Sequence, residues 1–103
     1  MIRAELYESN GLLNGFRISG HAGYAEKGND VVCAAVSSAV QLIVNLLNEF
    51  DCEPQLSAED NVVECHTSAS PNTASAMLEQ LKLHFETILE EFPKTIKIII
   101  SEV

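Results

Sequence analysis

Residues 1–20 read MIRAELYESNGLLNGFRISG, and this stretch decides the fold. Ile2, Ala4 and Leu6 alternate with Arg3, Glu5 and Tyr7, and Phe16 and Ile18 alternate with Arg17 and Ser19. A period of two sends apolar side chains to one face of a strand and polar ones to the other. Between the runs lies Ser9-Asn10-Gly11, and Asn and Gly tolerate the positive φ that tight hairpin turns need. The chain opens with an antiparallel hairpin that has one face to bury.

Gly20 to Asn29 (GHAGYAEKGN) has three glycines, two charges and no apolar period, so it is a loop longer than a hairpin requires. Long loops of this kind in compact domains are commonly functional. Asp30 is a good N-cap for a first helix. Val32, Val36, Ala39, Ile43, Leu46 or Leu47, and Phe50 form its main apolar face, and its opposite side is also mostly apolar. Such a helix packs on a sheet and against something else, which in a chain this small can be a second subunit. Ser37, Ser38, Gln41 and Asn45 interrupt it, and a membrane span needs ~20 mostly apolar residues, so it reads as a buried helix.

Asp51-Cys52-Glu53-Pro54 ends that helix. Gln55–Ala58 reads as a short strand, Glu59-Asp60-Asn61 as a turn and Val62–Thr67 as a strand. Ser70-Pro71 starts a second helix, with Ser at the N-cap and Pro at the first helical position. Met77, Leu81, Phe85, Ile88 and Phe92 form its apolar stripe, and Pro93 stops it. Thr95–Val103 is a β-branched final strand. The order ββαββαβ predicts an α+β fold, two helices packed on one mixed β-sheet, with residues 1–103 as a single domain.

The chain has 15 Asp and Glu against 6 Lys and Arg, a formal charge of -9. That excludes a sequence-independent grip on nucleic acid, which needs basic residues to displace counterions, and it excludes anionic membrane surfaces. Residues 1–48 hold 4 acids and 3 bases, whereas residues 49–103 hold 11 acids and 3 bases. The acidic half either solvates the protein or attracts a basic partner. The N-terminus lacks a secretory pattern, and the cytosol is the expectation. Cys33, Cys52 and Cys65 are odd in number with no CxxC, so a disulfide framework is not expected.

The chemistry concentrates in residues 20–37, GHAGYAEKGNDVVCAAVS. With Asp30 as cap, Cys33 falls at the third helical position. Unpaired backbone N–H groups and the helix dipole favour an anion there, and the thiolate is the nucleophilic form of cysteine. The glycine loop can fold His21 back toward that terminus, and a cysteine with a histidine partner is an established activated nucleophile. Alone, Cys33 reads first as a small core residue, His21 as an ordinary loop residue and Asp30 as just a cap. Their combination is what points to catalysis.

Gly20-His21-Ala22, Gly28 and Asp30-Val31-Val32-Cys33-Ala34-Ala35-Val36-Ser37 together resemble the signature of the ribosomal-processing cysteine protease family, Prp. The length and the ββαββαβ order fit that family over the whole chain. The resemblance implies a homodimeric endopeptidase needed for ribosome maturation. It implies removal of the N-terminal extension of ribosomal large-subunit protein number twenty-seven, with cleavage after an aromatic residue. It implies Cys33 as nucleophile and His21 as base, Gly20 as hinge of the histidine loop, and Asp30 and Ser37 as supports. Asp30 is also a candidate orienter of His21, a role that competes with capping. No cofactor or metal is expected. Two other functions fit the same residues: a non-catalytic binding or assembly factor for ribosomal proteins, and a thiol redox sensor built on Cys33.

The remaining reactive side chains read as structural. Cys65 and His66, adjacent on a strand, point to opposite faces and cannot share an ion, which puts Cys65 in the core and His66 outside. Cys52 lies beside Asp51 and Glu53, whose charges oppose a thiolate. His84 borders the second helix's stripe at the surface. Tyr24 is either a substrate contact or a loop anchor, and Glu26 and Lys27 are solvated loop charges.

Overall fold

Strands β1 (Ile2–Ser9) and β2 (Leu12–Ser19) form the expected hairpin, joined by Asn10 and Gly11 at φ 54° and 79°. The structure, a computed structural model, describes residues 1–20 and 29–103, and of Asn29 and Asp30 the backbone alone. After β2 come α1 (Asn29–Glu49), β3 (Pro54–Glu59), β4 (Val62–Thr67), α2 (Pro71–Glu91) and β5 (Ile96–Glu102). The β3–β4 turn is again two residues with positive φ, Asp60 (50°) and Asn61 (65°). The ββαββαβ order and the mixed sheet stand as expected.

The sheet runs β3-β4-β2-β1-β5, antiparallel except for the parallel pair β1–β5. Both helices lie on one face. Ile2, Ala4, Leu6, Phe16, Ile18, Cys65 and Ile96 join Val32, Val36, Val40, Ile43 and Leu47 of α1 and Ala74, Leu78, Leu81, Phe85 and Ile88 of α2 in one core. Arg3, Glu5, Tyr7, Arg17, Glu64 and His66 occupy the other face at the alternate positions.

One irregularity is not readable from periodicity. Tyr7 pairs with Gly15 but Glu8 pairs with Leu13, so Asn14 is an extra residue on β2. This bulge lets Leu13 and Phe16, three residues apart, both face the core. The N–H of Leu13 donates instead to Ser75 Oγ of α2 at 3.0 Å, and the Asn14 carbonyl accepts from Thr67 Oγ1 at 3.1 Å.

Several expectations shift. Helix α1 starts at Asn29, so Asp30 is its second residue and Cys33 its fifth, not the cap and the third position. An acid is favoured in a first helical turn as well as at the cap, so Asp30 alone does not fix the register. Val40, not Ala39, is fully inside, and Phe50, beyond the helix end, is 53% exposed. Ser70 does precede α2, but at φ 51° its hydroxyl donates to the Asp51 carbonyl (3.1 Å) and caps no helical N–H. The α2 stripe includes Leu78, with Met77 and Phe92 half-buried.

Helix α1 keeps one side on the sheet and leaves much of the rest open: Val31 is 57% and Leu42 59% exposed. Its Val31–Glu49 segment, of mean hydropathy 1.8, is long and apolar enough to cross a membrane. Here the segment lends Val32, Val36, Val40, Ile43 and Leu47 to the core beneath it.

Candidate active site

The N-terminus of α1 meets the sheet where β2 ends, β1 begins and the β3–β4 turn closes. A pocket of about 250 Å³ opens there, lined by Ile2, Ile18, Gly20, Cys33, Val36, Ser37, Asn61 and Val63. Cys33 is half-buried in it, and Ser37, one helical turn on, lines the same pocket from a more exposed position. The i, i+4 spacing of an α-helix puts these two side chains on one face, one above the other. No disulfide joins the cysteines among the described residues.

Gly20 sits opposite Cys33 at the end of β2, with φ +74°. A Cβ at this residue would stand 2.8 Å from the carbonyl oxygen of Met1, besides the strain that a left-handed φ imposes on an L side chain. Glycine is therefore required both by backbone conformation and by the close pass of the first residue. His21 follows it directly in the sequence.

Of the five site residues expected from sequence, the structure brings Gly20, Cys33 and Ser37 into one pocket. Asp30 lies in the first turn of α1 by its backbone. His21 lies outside the described residues, as do Ala22, Tyr24, Glu26, Lys27 and Gly28. Asn61 was read only as a turn residue, and Ile2, Ile18 and Val63 only as strand residues. The places of Ile18, Asn61 and Val63 at the site follow from the β2–β4 register, Ser19 opposite Val62 and Ile18 opposite Val63, a pairing more than forty residues apart in sequence.

The other two cysteines take no part. Cys52 and Cys65 have no exposed surface. Burial pushes the Cys65 thiol up to about 11, and burial, then the charge of Asp51, raises that of Cys52. The sequence weighed only the flanking acids at Cys52, whereas desolvation is the larger cause. Cys65 is in the core and His66 is exposed, its Nε2 2.8 Å from Glu64 Oε2 on the outer face. His84 is exposed. No group of three potential metal ligands exists among the described residues.

A cysteine in the opening turns of a helix, set in a concave pocket, is an arrangement suited to acyl transfer. Backbone N–H groups in the first turn of a helix have no partner within it and can face a developing oxyanion.

The chain is 28% identical over 88 residues to the ribosomal processing cysteine protease Prp of Staphylococcus aureus, a match covering 79% of this chain and 80% of that one. Its fold superposes on the S. aureus Prp crystal structure with a substrate peptide at a TM-score of 0.86, with 22% identity over 98% of this chain and 100% of that one. It superposes on SMU.848 of Streptococcus mutans at 0.80, with 27% identity over 100% of this chain and 96% of that one. The family described as Cysteine protease Prp matches residues 1–97. The chain belongs to the cysteine protease Prp family.

Proposed function

We propose that the chain, as one domain over residues 1–103, is a cytosolic endopeptidase serving ribosome maturation. It removes the N-terminal extension of ribosomal large-subunit protein number twenty-seven. The observation that carries this reading is the single pocket shared by Cys33, Gly20 and Ser37 at the N-terminus of α1. The S. aureus relative, a ribosomal processing protease crystallised with a substrate peptide, supports the substrate class.

The Cys33 thiolate attacks the scissile carbonyl carbon, and the electron pair of the C=O bond moves to the oxygen. N–H groups of the first turn of α1 hold that oxyanion. The C–N bond breaks as His21 gives a proton to the leaving amine, leaving a thioester on Cys33. Water, deprotonated by His21, attacks the thioester, the C–S bond breaks, and the N-terminal fragment leaves with a new carboxylate at its end as the thiolate of Cys33 is restored. Gly20 is the hinge that admits the peptide and lets His21 close, while Ser37 and Asp30 support the site.

The active species is a homodimer, supported by the open apolar surface of α1 at Val31 and Leu42. The acidic residues beyond position 48 draw in the basic substrate, and neither nucleic acid nor membrane is a direct partner.

The test is incubation with the precursor ribosomal protein, read by mass spectrometry. One N-terminal truncation is expected with the wild-type chain, slowed at least about a thousandfold in Cys33→Ala. Binding without truncation by the reduced protein would instead identify an assembly factor. A reversible Cys33 sulfenic acid without truncation would identify a redox sensor.

A further inference from the structure

The walls of the Cys33 pocket differ in origin. Cys33, Val36 and Ser37 come from α1, whereas Asn61 comes from the turn between β3 and β4. Ile2, Ile18 and Val63 are apolar and Gly20 has no side chain. The polar side-chain groups on the pocket are therefore the Cys33 thiol, the Ser37 hydroxyl and the Asn61 carboxamide. Of these the carboxamide alone carries N–H donors. Asn61 is exposed, and its carboxamide bonds no other group among the described residues.

The turn does not call for this side chain. Asp60 and Asn61 take positive φ of 50° and 65°. The β1–β2 turn, Asn10-Gly11, has the same two-residue form, with φ of 54° and 79°, and places Gly second. Turns of this kind favour Gly at that place. Asn61 thus brings a carboxamide to the pocket where the backbone needs none. The helix, in turn, leaves a donor wanting. Cys33 is the fifth residue of α1, so its own N–H lies within the helical ladder, on the carbonyl of Asn29. The N–H groups without a helical partner belong to residues 29–32, before it. An oxyanion forming at Cys33 cannot draw on the N–H of the nucleophile itself, and a donor from the β3–β4 turn supplies what is missing.

We infer, on the reading of Cys33 as nucleophile, that Asn61 is an oxyanion donor of the protease. As the thiolate sulfur bonds to the scissile carbonyl carbon, the π pair of the C=O bond moves onto the oxygen. Asn61 Nδ2–H donates a hydrogen bond to that oxygen and keeps its proton. When the C–N bond breaks, the pair returns to the C=O bond and the hydrogen bond weakens. Such a donor acts on the transition state more than on the bound substrate, and removal of one lowers kcat by about 10²–10³.

The experiment compares the full wild-type chain with Asn61→Gly and Asn61→Asp on a peptide spanning the cleavage site. Asn61→Gly removes the carboxamide and keeps the turn. Asn61→Asp keeps the shape without an N–H, and Asp already takes positive φ at positions 51 and 60. In both, kcat should fall about a hundredfold with KM within about twofold. Two readouts separate this from a structural role. A peptide aldehyde, which forms a tetrahedral hemithioacetal on Cys33, should bind Asn61→Gly about a hundredfold more weakly, in step with kcat/KM. Alkylation of Cys33 in Asn61→Gly by iodoacetamide, a displacement that forms no oxyanion, should keep its wild-type rate. A wild-type kcat in either variant would overturn the inference. So would a loss carried by KM, which would make Asn61 a substrate-binding group, or alkylation slowed in step with kcat, which would place its effect on the thiol. Absence of cleavage by the wild-type chain would instead overturn the protease reading.

Discussion

The rings of Tyr7 and His66 lie parallel to within 6° with centroids 5.2 Å apart, although β1 and β4, which carry them, are separated by β2. The residue of β2 between them is Gly15, paired with Tyr7 on one side and His66 on the other. With no side chain there, the two rings meet across the middle strand. A Cβ on Gly15 would collide with the carbonyl oxygen of Cys65 and press on His66 Nδ1 at 3.2 Å and Tyr7 Cδ2 at 3.3 Å. The first of these obstacles is backbone and cannot rotate away. Gly15→Ala should therefore destabilise the fold by about 1–3 kcal/mol, as overpacking does. Thermal unfolding should show a fall in Tm of roughly 5–20 °C for a domain of this size.

Beside that stack, Glu64 accepts from His66 at 2.8 Å and lies 3.7 Å from Arg17. The hydrogen bond from His66, then the charges of His66 and Arg17, hold the Glu64 carboxyl below its ordinary value against an opposing desolvation. A depressed carboxyl favours the folded state above the unfolded value of about 4.3, and that contribution disappears as pH falls through the lower folded value. The Tm difference between the wild-type chain and Glu64→Gln should be present at pH 5 and close below pH 4. A difference that persists unchanged well below pH 4 would show that Glu64 is not held in its charged form.

Much of this architecture is legible in the sequence, for a local reason. Asn10-Gly11 and Asp60-Asn61 mark two hairpins because positive φ is a property of the residues themselves. Pro93 ends α2 because its ring does so in any fold. What the sequence hides depends on partners far along the chain. The bulge at Asn14 exists where Leu13 finds Ser75, sixty-two residues on. Asn61 belongs to the Cys33 pocket only through the β2–β4 pairing. The start of α1 is displaced by two residues because Asp30 suits both a cap and a first turn. The signature residues Gly20, Cys33 and Ser37 were findable because they cluster within eighteen positions; the apolar walls around them carry no such mark.

Gly20 supplies a direct test of the hinge. Its φ of +74° and the 2.8 Å gap from a built Cβ to the Met1 carbonyl make Gly20→Ala strained by about 1–3 kcal/mol. The chain has two ways to relieve that strain, moving residue 1 or changing the backbone that leads into residue 21. The second alters the approach of His21, so kcat for peptide cleavage should fall about tenfold or more, with KM less affected. Measured well below Tm, a kcat equal to wild type would confine Gly20 to a structural role.

The charge asymmetry predicts a kinetic signature. Eleven acids stand against three bases beyond residue 48, and Glu59 and Asp60 edge the turn that adjoins Asn61 of the site pocket. Attraction of a basic substrate to such a surface weakens as the Debye length shrinks from about 10 Å at 0.1 M salt toward 3 Å at 1 M. kcat/KM on the precursor protein should fall several-fold over that range while kcat holds. A short neutral peptide carrying the same cleavage site should show no such fall. Equal salt dependence for both substrates would mean that the acids only solvate the surface.

Leu42 supplies a test of the proposed homodimer. It is 59% exposed on α1, with Leu46 partly buried one turn on and Leu81 of α2 in the core below, around an open cleft of about 500 Å³ between the helices. Across a two-fold axis the same residue is buried twice, once from each copy. Covering ~80 Å² of leucine surface at about 25 cal/mol per Å² contributes ~2 kcal/mol per copy, so losing both weakens dimerisation by roughly a thousandfold. Leu42→Glu adds a charge that a paired apolar face cannot solvate, while in the isolated chain the same side chain points to water and costs the fold little. Light scattering should find the wild-type chain dimeric and Leu42→Glu monomeric with an unchanged far-ultraviolet circular dichroism spectrum. A variant that stays dimeric would place the interface elsewhere, and the free edge of β5, where Ile100 is 43% exposed, is the next surface to substitute.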